Sequence, residues 1–263
     1  MAIDRRVLRR KVPEVTVLFW IIKLLTTALG ESTSDYLVNR FDPYVVVMTG
    51  FVGFIAALVL QLRARRYVAW IYWLTVAMVA VFGTMAADVI HVALGVPYLV
   101  STTAFAVALA VVLIVWFRTE RTLSIHTITT TRRELFYWAT VSATFALGTA
   151  AGDLLAYSAG LGFLAAGIVF VVIFALPGLG YRLFRLNAVF AFWFAYILTR
   201  PIGASFADWT GKSPEVGGLG WGDGPVATVL LIMIIGLVGY LTIRRTDTDA
   251  EVTAAQQDVR VPE

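Results

Sequence analysis

Four times along the chain a tryptophan is followed ten residues later by a glycine and fifteen residues later by an aspartate. The sets are Trp20/Gly30/Asp35, Trp73/Gly83/Asp88, Trp138/Gly148/Asp153 and Trp193/Gly203/Asp208. Half of the eight tryptophans take part, which makes chance a poor explanation. An internal repeat decides architecture before any local signal does. Successive tryptophans are 53, 65 and 55 residues apart, enough for two membrane-spanning helices in each repeat.

The sequence around the repeats is that of a membrane protein. Only 14% of residues are charged, against about 25% in soluble domains, and 59% are hydrophobic. Apolar stretches predict spans at 15–38, 44–62, 67–93, 97–117, 135–158, 161–180, 186–209 and 225–243. The expected fold is all-α: a polytopic membrane protein whose eight transmembrane helices form four parallel-related helix hairpins.

Placing the N-terminus in the cytoplasm puts 17 of the 21 lysines and arginines in inner segments. Outer loops then hold only Arg40 and Lys212, and the spans hold Lys23 and Arg200. This bias implies both termini cytoplasmic, which only an even number of spans permits, and the expected place is the inner (plasma) membrane as a multi-pass protein. It also accounts for the net charge of +4, so the basic balance speaks for membrane orientation and no nucleic acid partner is expected. The chain has no cysteine, which excludes disulfides and thiolate metal sites.

The longest interval contains the polar segment Arg118–Glu134. The expected organisation is a membrane half at 1–117 (repeats 1 and 2), a cytoplasmic linker at 118–134, a second membrane half at 135–245 (repeats 3 and 4) and a disordered cytoplasmic tail at 246–263.

On an unbroken helix a spacing of fifteen leaves a net rotation of about 60°, so each tryptophan and its aspartate share a face. Positions seven and eleven after the tryptophan share it too. These are Thr27 and Glu31, Ala80 and Thr84, Phe145 and Thr149, and Arg200 and Ala204. His91, eighteen after Trp73, returns to the same face. A narrow polar stripe on an apolar helix should turn away from lipid, toward the bundle interior. The candidate cation or metal ligands are therefore Asp35, Asp88, Asp153, Asp208, Glu31 and His91. Convergent oxygen ligands suit a hard divalent ion, and a histidine widens the choice toward transition metals. Against this stand plainer readings: aspartates that satisfy backbone at helix breaks, a hydrogen-bonded structural His91, tryptophans as packing or interfacial anchors, and glycines at close helix contacts.

The repeats differ in ways that matter. Lys23 has Val76, Val141 and Tyr196 as its counterparts, and Arg200 stands alone in its span beside Pro201. Arg200 keeps its charge and so requires an anionic partner. Repeats 4 and 1 are neighbours in a closed ring, which predicts an Arg200–Glu31 or Arg200–Asp35 pair. Lys23 and Arg200 are expected to act as internal counter-charges.

The segments Lys11-Val12-Pro13-Glu14-Val15-Thr16, Phe19-Trp20-Ile21-Ile22-Lys23 and Gly30-Glu31-Ser32-Thr33-Ser34-Asp35 resemble the first repeat of a known family. It comprises bacterial membrane proteins made of four tandem two-span repeats of unknown function, each marked by a tryptophan. The resemblance covers about residues 11–245. It implies the fold and the span count and leaves the activity open.

The function expected from the residues is transport of a cation, a divalent metal ion first among them, with proton coupling suited by crowded carboxylates. The alternative is a non-transporting scaffold or sensor whose aspartates are structural. No nucleophile constellation is present, so no enzyme is expected. The expected partners are the lipid bilayer and an inorganic cation or small solute, and the divalent ion is the one bound species the ligand set suggests.

Overall fold

The computed structural model describes residues 10–244. The basic segment 1–9 and the tail expected to be disordered, 246–263, lie outside the described residues. Eight long helices follow one another: α1 (Val17–Arg40), α2 (Pro43–Arg63), α3 (Ala69–Asp88), α4 (Tyr98–Glu120), α5 (Thr131–Asp153), α6 (Gly162–Phe184), α7 (Ala188–Gly211) and α8 (Asp223–Arg244). Helices α3 and α5 run on into single π turns, Val89–Ala93 and Leu154–Ser158.

The ends are set by ordinary capping chemistry. Thr16 accepts from the Phe19 amide to open α1, while Asp42 and Asn187 each accept two backbone amides to open α2 and α7. Pro43 stands at the first position of α2, where its missing N–H costs nothing. The last turns of α2, α4, α6 and α8 carry Arg63, Arg118, Arg182 and Arg244, which complement the negative ends of the helix dipoles.

Among the described residues, α2 to α8 are long and apolar enough to cross a membrane. Helix α1 stands apart because Lys23, Glu31 and Asp35 interrupt its apolar run. Large apolar side chains such as Val52, Val111, Val172 and Ile232 lie exposed on α2, α4, α6 and α8, an outer surface that lipid would cover. The chain is a multi-pass α-helical membrane protein.

The packing closes into a ring. The four motif helices contact one another in the order α1–α3–α5–α7–α1. Outside them, α2 lies on α3, α4 on α5, α6 on α7, and α8 returns to α1. The second helix of each repeat thus rests mainly on the first helix of the next repeat. The expected hairpins are connected in sequence, but their helices do not pair along their length. Helices α4 and α5 pack together across the middle of the chain.

The expected linker 118–134 overlaps the ends of both neighbouring helices. Helix α4 extends to Glu120 and α5 starts at Thr131, which leaves ten residues between them. Ile125 and Ile128 in that connection are buried in the main core, so the segment is anchored. A polar reading missed it because two isoleucines decide its position.

The repeated residues build the ring. The residue before each tryptophan packs on the tryptophan of the next repeat: Phe19 on Trp73, Tyr72 on Trp138, Tyr137 on Trp193 and Phe192 on Trp20, with centroids 5.6, 5.6, 6.1 and 5.8 Å apart. Three of these tryptophans are buried, so they are core residues. Ten residues on, each motif glycine faces the next repeat at the position seven after its tryptophan. Gly30 faces Ala80, Gly83 faces Phe145, Gly148 faces Arg200 and Gly203 faces Thr27. A Cβ on Gly30 would sit 2.5 Å from the Ala80 Cβ, so a side chain there would force neighbouring helices apart.

Candidate functional site

One layer beyond the glycines, the ring closes around Arg200. Its Nη2 donates to Glu31 Oε2, to Thr84 Oγ1 at 2.7 Å and to Thr149 Oγ1 at 2.8 Å. These acceptors are the position eleven after the tryptophan in repeats 1, 2 and 3, and repeat 4 has Ala204 there. Thr84 and Thr149 donate their own hydroxyl protons to Ala80 and Phe145 carbonyls one turn back, which leaves their oxygens free to accept from Arg200. The guanidinium is 1% exposed and Glu31 is 5% exposed. The pair expected between repeats 4 and 1 is therefore Arg200–Glu31, and Asp35 finds another partner.

That partner is Lys212, the first residue past α7. Its ammonium donates to Asp35 Oδ2 and lies 3.9 Å from Asp208 Oδ1. Burial alone would pull the Lys212 ammonium down, but the carboxylates of Asp35 and Asp208 outweigh it and hold the group above the ordinary lysine range. One carboxylate oxygen from each of Glu31, Asp35 and Asp208 lies within 4.8 Å of the others. This is the group of three with metal-ligand spacing among the described residues. Asp208 Oδ1 is buried and has no hydrogen-bond donor.

Asp88 and Asp153 stand apart from that cluster. Both are half-buried, and neither makes a hydrogen bond or an ion pair among the described residues. They interact electrostatically with Glu31 and Asp35. Above them Tyr98 and Tyr157 stack with centroids 6.1 Å apart. His91 does not join the acids. It lies inside the π turn Val89–Ala93. Its Nδ1 instead lies 3.2 Å from the Val96 carbonyl, and its ring packs against Tyr98 at 4.2 Å.

Lys23 lies one layer below Arg200, toward the tryptophans. Among the described residues it has neither ion pair nor hydrogen bond, and its Nζ sits 4.0 Å from the Phe145 ring centroid and 4.4 Å from that of Tyr196. Such faces attract an ammonium and offset part of its desolvation. A third buried pair closes the tryptophan end. Lys11 Nζ donates to Glu134 Oε2 at 2.5 Å, and Gln61 Nε2 donates to Glu134 Oε1 at 2.8 Å. The chain at Arg10 and Lys11 is tied by backbone bonds to Tyr67 and Ile128, so this segment is strapped across the bundle.

Sequence reasoning missed Lys212, Glu134, Lys11 and Gln61 as partners. Two signals were present. Lys212 is one of three lysines in the chain and follows Asp208 by four residues, and Glu134 precedes Trp138 by four, on the same face of α5.

A closed ring of like-directed repeat helices, lipid-facing outside and carrying a buried charged layer on its axis, defines a class: repeat-built helical membrane proteins with an intramembrane ionic site. The chain belongs to the family described as Repeat of Unknown Function (DUF347), whose profile matches at residues 18–67, 71–122, 136–185 and 191–247. Each match opens two residues before a motif tryptophan, so the family unit and the structural unit coincide. Neither the curated proteins nor the solved structures contain a match to this chain.

Proposed function

We propose that this protein transports a cation across a bacterial inner membrane, with a divalent metal ion as cargo and protons as the coupled species. All eight helices span the bilayer in this reading. Both termini are cytoplasmic, the tryptophan end of the ring faces the cytoplasm and the aspartate end faces outward. The observation that carries the reading is the cluster of Glu31, Asp35 and Asp208 oxygens within 4.8 Å of one another at that outer end. Carboxylate oxygens are hard ligands, and three at this spacing match the needs of Mg²⁺, Ca²⁺ or Mn²⁺. Asp88 and Asp153, half-buried and without a hydrogen bond or ion pair among the described residues, add further carboxylate oxygens near this cluster.

The same geometry supports an order of events for this reading. Arg200 lies on the axis below the acids and repels an incoming cation. Passage requires Arg200 to leave Glu31. Pro201 removes one helical donor beside it, which makes this the place where α7 bends most easily. Glu31, once released, takes up a proton or the ion, and that exchange couples the two.

A second reading has its own support. Glu31 and Asp35 each already hold a cation of the protein, which is what a scaffold or sensor with structural aspartates would show. Reconstitution in liposomes separates the two. Flux of Mn²⁺, Mg²⁺ or Ca²⁺ that is lost in Asp35→Asn and Asp208→Asn supports transport. A folded protein that moves none of these ions or protons supports the scaffold.

A further inference from the structure

We propose that Lys212 is a tethered competitor for the Glu31–Asp35–Asp208 site: its ammonium fills the site at rest, and a divalent cation binds by displacing that ammonium. The inference rests on the reading of this cluster as a cation site and names how the site is regulated. It stands first on placement. The Nζ donates to Asp35 and faces Asp208 at 3.9 Å, too far for a hydrogen bond, and Asp208 Oδ1 is left buried without a donor. Arg200 already holds Glu31, so the two aspartates share one positive charge that does not satisfy them. A divalent ion brings twice the charge and can be bound by both aspartates at once.

The second support is the contrast between a fixed backbone and a free side chain. The Lys212 amide donates to the Asp208 carbonyl at 2.9 Å, and its own carbonyl accepts from Gly220 at 2.8 Å. Gly218 lies so close to the Lys212 carbonyl that a Cβ there would clash. The following loop is tied back to α7 by Leu219 to Trp209, Trp221 to Thr210 and Gly222 to Gly211. Gly217, Gly220 and Gly222 take the positive φ values (90°, 78° and 83°) that this folded-back path needs. Displacement therefore needs only rotation of a four-carbon stem, not opening of the loop. Lysine suits the task, because its compact ammonium on a flexible chain can leave and return, where a forked guanidinium would hold two oxygens.

The acidic groups that act on this ammonium are Asp35 of α1, Asp208 of α7, Asp223 of α8 and Asp153 at the end of α5, with the Tyr157 phenol in the same field. Removing Lys212 leaves them unneutralised and open. A competitor that occupies the site lowers apparent affinity by the fraction of time the site is free.

The test is Mn²⁺ binding to the purified full-length protein in lipid nanodiscs, read by the electron paramagnetic resonance of free Mn²⁺, with melting curves to confirm folding. Lys212→Met is expected to bind Mn²⁺ at least tenfold more tightly than the wild type, and adding Asp35→Asn to it is expected to abolish the gain. A wild-type measurement stands beside the variant. Acetylation of Lys212 by an amine reagent, followed by mass spectrometry, is expected to rise when Mn²⁺ is present. Wild-type binding that depends on Asp35 but is no tighter in Lys212→Met, with Lys212 labelling unchanged by Mn²⁺, overturns the competitor and leaves the cation site standing. Absence of Mn²⁺ binding in both folded proteins overturns the cation site itself.

Discussion

The ring has two opposite seams made from the same repeated template, and they have diverged. Between α3 and α5 the template is nearly bare: Gly83 against Phe145, Thr84 and Thr149 as neutral acceptors, and Asp88 and Asp153 with no hydrogen bond or ion pair among the described residues. Between α7 and α1 the equivalent positions carry charge. Glu31 stands where the other seam has threonine, Arg200 stands on the axis, and Lys212 bridges Asp35 toward Asp208. The backbone differs in the same sense. Helices α3 and α5 end at their aspartates in π turns, while α1 and α7 run on to Arg40 and Gly211. Tryptophan, glycine and the ring closure are common to all repeats and hold the bundle. The charges that specialise it are concentrated at one seam. Repetition thus supplies the frame, and departures from it supply the site.

The largest break in that comparison comes from Arg200. Arg200→Met leaves Glu31 buried with no cation, and breaking such a pair costs about 3–5 kcal/mol. Loss of folded protein in urea or thermal melts is expected, with Glu31→Gln in the same chain restoring most of it. Next come the glycine notches, which serve both seams alike. Gly148→Ala would place a Cβ 2.6 Å from Arg200 Cβ and is expected to cost about 1–3 kcal/mol. Gly236→Ala, in α8 with open space around it, is expected to leave melting unchanged or slightly raised. The smallest effect belongs to the bare seam. Asp88→Asn and Asp153→Asn remove no hydrogen bond or ion pair and are expected to shift stability by no more than about 0.5 kcal/mol, while Asp35→Asn strands Lys212 and shifts it more. Equal effects at all four aspartates in the same melts would erase the distinction between the seams.

Much of this frame was legible in the sequence. Four copies of one spacing gave the four motif helices, and each helix lies within a few residues of its expected span. An Arg200–Glu31 or Arg200–Asp35 pair followed from a charge that needs an anion and from the adjacency of repeats 4 and 1 in a ring, and the first of the two is formed. What stayed hidden depends on geometry that periodicity does not encode. A helical wheel assumes an unbroken helix, whereas His91 lies within a π turn and packs against Tyr98. Lys212 belongs to a loop whose fold-back is set by glycines at positive φ, and its reach to Asp35 is invisible from its position in the chain. Glu134 lay in a stretch that reads as polar linker, yet it is fully buried because Lys11 and Gln61 arrive from far away to satisfy it. The packing of each second helix on the next repeat is likewise a choice between equally apolar surfaces, made by the closure of the ring.

The central claim is that the α7–α1 seam holds a cation site and the α3–α5 seam does not. The most direct measurement is the Mn²⁺-dependent rise in melting temperature of the full-length protein in nanodiscs, compared among wild type, Asp35→Asn, Asp208→Asn, Asp88→Asn and Asp153→Asn. The account predicts a rise in the wild type that disappears in Asp35→Asn and Asp208→Asn and persists, weakened, in Asp88→Asn and Asp153→Asn. A rise that survives in Asp35→Asn and Asp208→Asn, or no rise in the folded wild-type protein, would contradict it.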